Sequence, residues 1–116
     1  MLNIDKILSN ATAGGFRQVK FTLNPSQEIN LSNIFPQDKS GYYIFWNSVK
    51  PEETYFRLFY NSNDQEFSIV ESSDNVELIN RTNSIRIFIS STNIKIRNNF
   101  SNSIEFIAIR GADATN

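Results

Sequence analysis

The chain has neither cysteine nor histidine. No disulfide framework can form, and zinc, haem or iron–sulfur centres held by those ligands are excluded. General acid–base chemistry near neutral pH also loses its commonest residue and is left with carboxylate pairs. Glu52-Glu53 is the one adjacent pair; it follows Pro51 in an expected connection and reads as a solvated turn. Glycine is scarce, with four residues, none at the spacing of a phosphate-binding loop or a nucleophile elbow. Catalysis is therefore not expected, and no cofactor is implied.

Charge of one sign is lacking too. Eleven bases face twelve acids without a run of either, which disfavours non-specific binding to nucleic acid or an anionic membrane. No stretch approaches the roughly 18 apolar residues of a membrane-spanning helix. Met1 to Gly15 lacks the basic and apolar regions of a signal peptide, so export by the general secretory route is not expected. The sequons at Asn10, Asn30, Asn80 and Asn99 then read as coincidence in a chain rich in Asn, Ser and Thr.

What is present is alternation. Val19, Phe21 and Leu23 alternate with Gln18, Lys20 and Thr22, the pattern of a half-buried strand, and Asn24-Pro25-Ser26 ends it. Further strands are expected at Glu28–Ile34, Tyr42–Val49, Thr54–Asn61, Phe67–Val70, Val76–Ile79, Ser84–Ser90, Asn93–Arg97 and Ser103–Arg110. Clusters of Asn, Asp and Ser separate them at the spacing of a sandwich or barrel. The expectation is an all-β domain of eight or nine strands at 16–110. Its architecture would be an antiparallel two-sheet sandwich in jelly-roll or immunoglobulin-like order, with a small barrel as the alternative. A short N-terminal arm at 1–15, with Leu2, Ile4, Ile7 and Leu8 on one amphipathic turn, would precede it, and a polar tail at 111–116 would follow.

Two patterns exceed what a core requires. The segments Tyr42-Tyr43-Ile44-Phe45-Trp46 and Tyr55-Phe56-Arg57-Leu58-Phe59-Tyr60 are apolar at nearly every position, although an antiparallel sheet normally keeps one face polar. Either both faces are covered, with Trp46 a core anchor, or Tyr42, Tyr43, Trp46, Tyr55, Arg57, Phe59 and Tyr60 supply an interface. That interface would take a protein, or a sugar stacked on the rings. Ser103–Arg110 is apolar on both sides in its second half, so it should lie inside a sheet or be capped by another chain.

The second pattern is electrostatic. Acids crowd residues 52–77 and bases residues 81–110. If strands 84–90 and 93–97 form a hairpin, Arg86, Lys95 and Arg97 make a basic strip on its outer face. Such a strip would pair with acids on neighbouring strands or with an acidic segment of another subunit. A calcium site around Asn61-Ser62-Asn63-Asp64 is conceivable, but turn chemistry explains the same residues without a metal.

The arm ending in Ala13-Gly14-Gly15, the Asn/Ser-rich turns and the two-sided strands 42–49 and 54–61 together resemble the small accessory structural proteins of tailed-phage virions, such as head-decoration, fibre-base or tail-adaptor β-sandwiches. The resemblance implies a virion component assembled in the host cytoplasm. It would form a trimer or ring with other copies of itself and dock on other virion proteins through its arm. A carbohydrate- or receptor-binding module using Tyr42, Trp46, Tyr55 or Tyr60 is the runner-up. A small sandwich hydrolase or lyase is the third reading.

Overall fold

Alternation along β1 (Gln18–Leu23) turns Val19, Phe21 and Leu23 toward one side, and each later strand repeats the device. The computed structural model describes residues 18–35 and 40–113, the last three as backbone alone. The expected arm, with Leu2, Ile4, Ile7 and Leu8, lies outside the described residues.

Among the described residues nine strands form two sheets. β1, β3 (Gly41–Asn47), β4 (Tyr55–Asn61), β5 (Glu66–Ser72) and β9 (Ile104–Asp113) make a five-stranded sheet in the order β1-β9-β3-β4-β5. β2 (Glu28–Asn30), β6 (Val76–Glu77), β7 (Ile85–Ser90) and β8 (Asn93–Asn98) make the second, in the order β2-β8-β7-β6. The expected two-sheet sandwich is the fold found. The first strand lies beside the last and the second beside the last but one, a nesting found in jelly rolls, whereas β3-β4-β5 is a simple meander.

Between the sheets lies the core. Tyr43, Phe45, Phe56, Leu58, Phe106 and Ala108 come from the larger sheet, and Ile85, Ile87, Ile94 and Ile96 from the smaller. Phe45 stacks on Phe56 with centroids 4.5 Å apart, and Phe21 on Phe106 at 5.7 Å. Each such side chain removed from water contributes about 1.5–3 kcal/mol before entropy is counted.

Several strands begin or end a few residues away from the expected spans, and three of the differences bear on the fold. Glu28–Ile34 is a strand only to Asn30; Leu31–Ile34 forms a single helical turn, α1, because Leu31 and Ile34, three apart, both turn into the core. Val76–Ile79 pairs only over Val76 and Glu77, and it runs parallel to β7. The last strand continues to Asp113, past the expected start of the polar tail. Its two-sided apolar stretch is interior, between β1 and β3, rather than capped by another chain.

Candidate interaction surfaces

The outer face of the five-stranded sheet is built by register. Across it run a row of Gln18, Ile109, Ile44, Arg57 and Glu71 and a row of Lys20, Ile107, Trp46 and Tyr55. Tyr42 and Phe59 sit side by side at one end, ring centroids 5.1 Å apart. A sandwich facing water on this side would carry polar residues here. Instead Trp46 is 1% exposed, Ile109 1% and Ile44 8%, yet none of the three belongs to the core cluster between the sheets. The face is therefore a second apolar region, sheltered at its centre.

Of the aromatic candidates, Tyr43 and Tyr60 turn inward and belong to the core. Trp46, Tyr55, Arg57 and Phe59 share the outer face with Tyr42, the most accessible at 40%. The Arg57 guanidinium lies 5.9 Å from the Tyr42 ring centroid, and its Nε is buried with no hydrogen-bond partner among the described residues. Tyr55 borders the acidic loops. Burial, and then the charges of Glu71, Glu52 and Asp74, raise its phenol above the ordinary value of 10.0.

On the smaller sheet Arg86 stands opposite Arg97, and Phe88 opposite Lys95, so the three bases do share the outer face. They are largely answered within the chain. Glu28 on β2 lies 3.1 Å from Arg97 and 3.9 Å from Lys95. Arg86 lies over the Phe88 ring, 4.1 Å from its centroid, and donates from Nε to the Leu78 carbonyl at 3.4 Å. Sequence reasoning missed Glu28 because it lies outside the acidic segment 52–77. Only the β2–β8 register brings it to the strip.

A third surface was also missed. Among the described residues β5 and β6 are edge strands of the two sheets and follow each other in the chain, so two edges with no described partner strand meet on one flank. Beside β6 the side chains of Leu78 and Ile79 are each 56% exposed, and Val70 on β5 is 45% exposed. With Ile69, Ser72, Val76 and Glu77, Leu78 and Ile79 line a shallow cleft of about 310 Å³. Val70 is the extra residue of a β-bulge, since β4 pairs Arg57 with Glu71 and then Leu58 with Ile69. The available signal was two apolar residues running straight into the polar segment Asn80–Ser84, where strand alternation stops.

The segment Asn61–Asp64 is a hydrogen-bonded turn. Asn61 Oδ1 accepts from the backbone N–H of Asn63 and Asp64, and its Nδ2 donates to Asp64 Oδ2 at 3.0 Å. Its side-chain groups are thus engaged with each other. Among the described residues no helix is long and apolar enough to cross a membrane, and no group of three Asp or Glu stands together as metal ligands would. No family model matches the chain, and no match is found among curated proteins or solved structures.

Proposed function

We propose that the chain is a non-enzymatic structural or assembly protein that acts through protein–protein contacts. The β5–β6 flank carries this reading: two strand edges that no other described strand pairs meet there beside an exposed Leu78–Ile79 pair and an apolar cleft. Unpaired strand edges and contiguous exposed aliphatic side chains are surfaces that proteins cover with another chain. Further copies of the chain, in a trimer or ring, are the proposed partners. The finer assignment, an accessory component of a phage virion, rests on the resemblance in composition, turns and arm described above.

The carbohydrate-binding reading draws less support. Two of the four rings it needs, Trp46 and Tyr60, are 1% and 5% exposed and offer no face for a sugar to stack on.

Size-exclusion chromatography with light scattering tests the proposal. The full chain at micromolar concentration should give a mass above one subunit, and the pair Leu78→Glu and Ile79→Glu should return it toward the monomer. A strict monomer across that range would sink the proposal.

A further inference from the structure

β6 and β7 lie side by side and parallel, so the chain between them must double back over residues 78–84. Residues 78–83 are exposed without interruption, the longest such run among the described residues. Little holds the segment down. Among the described residues, one backbone–backbone hydrogen bond falls within 78–83, from Asn83 N–H to the Asn99 carbonyl. Side chains add three more: Asn99 Nδ2 donates to Asn80 Oδ1, Ser84 Oγ to the Arg81 carbonyl, and Arg86 Nε to the Leu78 carbonyl. β6 itself is paired over only two residues. Local opening costs least where buried apolar contacts and ladder bonds are few.

We infer that the bond between Arg81 and Thr82 is a processing site for an arginine-specific endopeptidase, and that the cut chain keeps its fold as a two-piece complex. Such an enzyme takes its substrate as an extended segment with the basic side chain in a pocket. The bond must therefore be exposed, outside any ladder and able to open. The Arg81 side chain is 60% exposed, and its contact with Glu77 at 3.7 Å is a surface ion pair that water and salt weaken. Hydrolysis adds water across the amide, leaving a carboxylate on Arg81 and an ammonium on Thr82. The other described bases are less suited. Lys20, Arg57, Arg86, Lys95, Arg97 and Arg110 lie in strands. Lys50 precedes Pro51, whose ring removes the amide N–H and restricts the residue before it.

Topology keeps the two pieces together. The second piece supplies β7, β8 and β9. β9 lies between β1 and β3, and β8 between β2 and β7, so each sheet interleaves strands of both pieces. Ile85, Ile87, Ile96 and Phe106 of the second piece share one core with Phe45 and Phe56 of the first. Separation would expose that core, whereas the cut removes none of its contacts. The local change is at β6. After hydrolysis the exposed Leu78–Ile79 pair is tied to the chain on one side only.

Limited digestion of the full chain with trypsin, read by mass spectrometry, tests the inference. Among bonds of the described residues, the one after Arg81 should be cut first, giving a fragment that begins at Thr82. Cuts after Lys6, Arg17 or Lys39 leave the start of that fragment unchanged. Arg81→Gln should abolish the fragment, and so should Thr82→Pro, which keeps the arginine. An earlier cut at another described bond, or no fragment beginning at Thr82 while the fold is intact, overturns the site. The inference stands apart from the assembly proposed above, and light scattering beside the digest keeps the two distinct. A second copy seated on Leu78 and Ile79 would slow the cut at micromolar concentration and not after dilution. An intact bond under both conditions overturns the site, whatever the mass. The pieces of the cut chain should co-elute in size exclusion with the native emission of Trp46, the sole tryptophan. Pieces that separate without denaturant would overturn the two-piece complex.

Discussion

The carboxamide of Asn98 donates from Nδ2 to the carbonyl of Leu23 at 2.9 Å, tying the smaller sheet to the end of the first strand of the larger one. Asn98 is fully buried, and the same nitrogen donates to the carbonyl of Asn102 while Oδ1 accepts from Phe100 N–H. Its backbone adds two bonds: Ser26 N–H to its carbonyl, and its own N–H to the Gln27 carbonyl. One side chain thus satisfies three backbone groups at the corner where the sheets meet. Asn98→Leu should cost about 3 kcal/mol, since each orphaned buried group costs roughly 1–3 kcal/mol and the apolar replacement recovers part of it. Urea denaturation should show a lower midpoint with an unchanged slope. A loss below about 1 kcal/mol would mean that this corner opens to water.

The β7–β8 hairpin turns on Ser91 and Thr92, whose φ angles are 52° and 67°. Both central residues lie in the left-handed region, which marks a primed two-residue turn that favours Asn-Gly. A β-branched threonine is poorly suited to that position. Replacing the pair by Asn-Gly should stabilise the protein by about 1 kcal/mol, read as a higher Tm. A lower Tm would show that Ser91 and Thr92 make contacts worth more than the relief of the turn.

Glu28 holds both Lys95 and Arg97, so Glu28→Gln should release a basic strip that includes Arg86. These groups are partly exposed, and the stability cost should stay below about 1 kcal/mol and shrink with added salt. The clearer effect is on retention. The variant should elute from a polyanion column at higher salt than the parent chain. Equal elution would show that the strip is not governed by Glu28.

Tyr55 supplies a pH dependence. Its folded pKa is raised, first by burial and then by Glu71, Glu52 and Asp74, so the folded state holds the phenol proton more tightly than the unfolded state does. The associated stability is complete below the unfolded value of about 10 and is lost as pH rises through the folded value. Unfolding measured from pH 9 upward should show a decline that Tyr55→Phe reduces. A variant with the parent's full decline would place the effect on other groups.

Much of the fold was legible because a sandwich strand writes its burial into a period of two. Val19-Phe21-Leu23 and Ile85-Ile87 show their inward faces directly, and Asn/Ser-rich turns mark where each strand ends. The exceptions arise where three-dimensional neighbours decide. Leu31 and Ile34 keep strand-like composition yet close a helical turn against β8. Glu28 reaches the basic strip only through a pairing some 69 residues distant in sequence. Leu78 and Ile79 read as strand until β6 stops after two paired residues. The outer face was legible as an excess of rings, but which of those rings face inward followed from the pairing register and not from composition.

The account turns on an apolar region outside the core, with Trp46 sheltered at its centre. Acrylamide quenching of Trp46 fluorescence in the full-length native chain tests it most directly, because no other tryptophan contributes. The account predicts short-wavelength emission and weak quenching that become long-wavelength and strong only on unfolding. Native emission at the wavelength of the unfolded chain, quenched as readily, would contradict it.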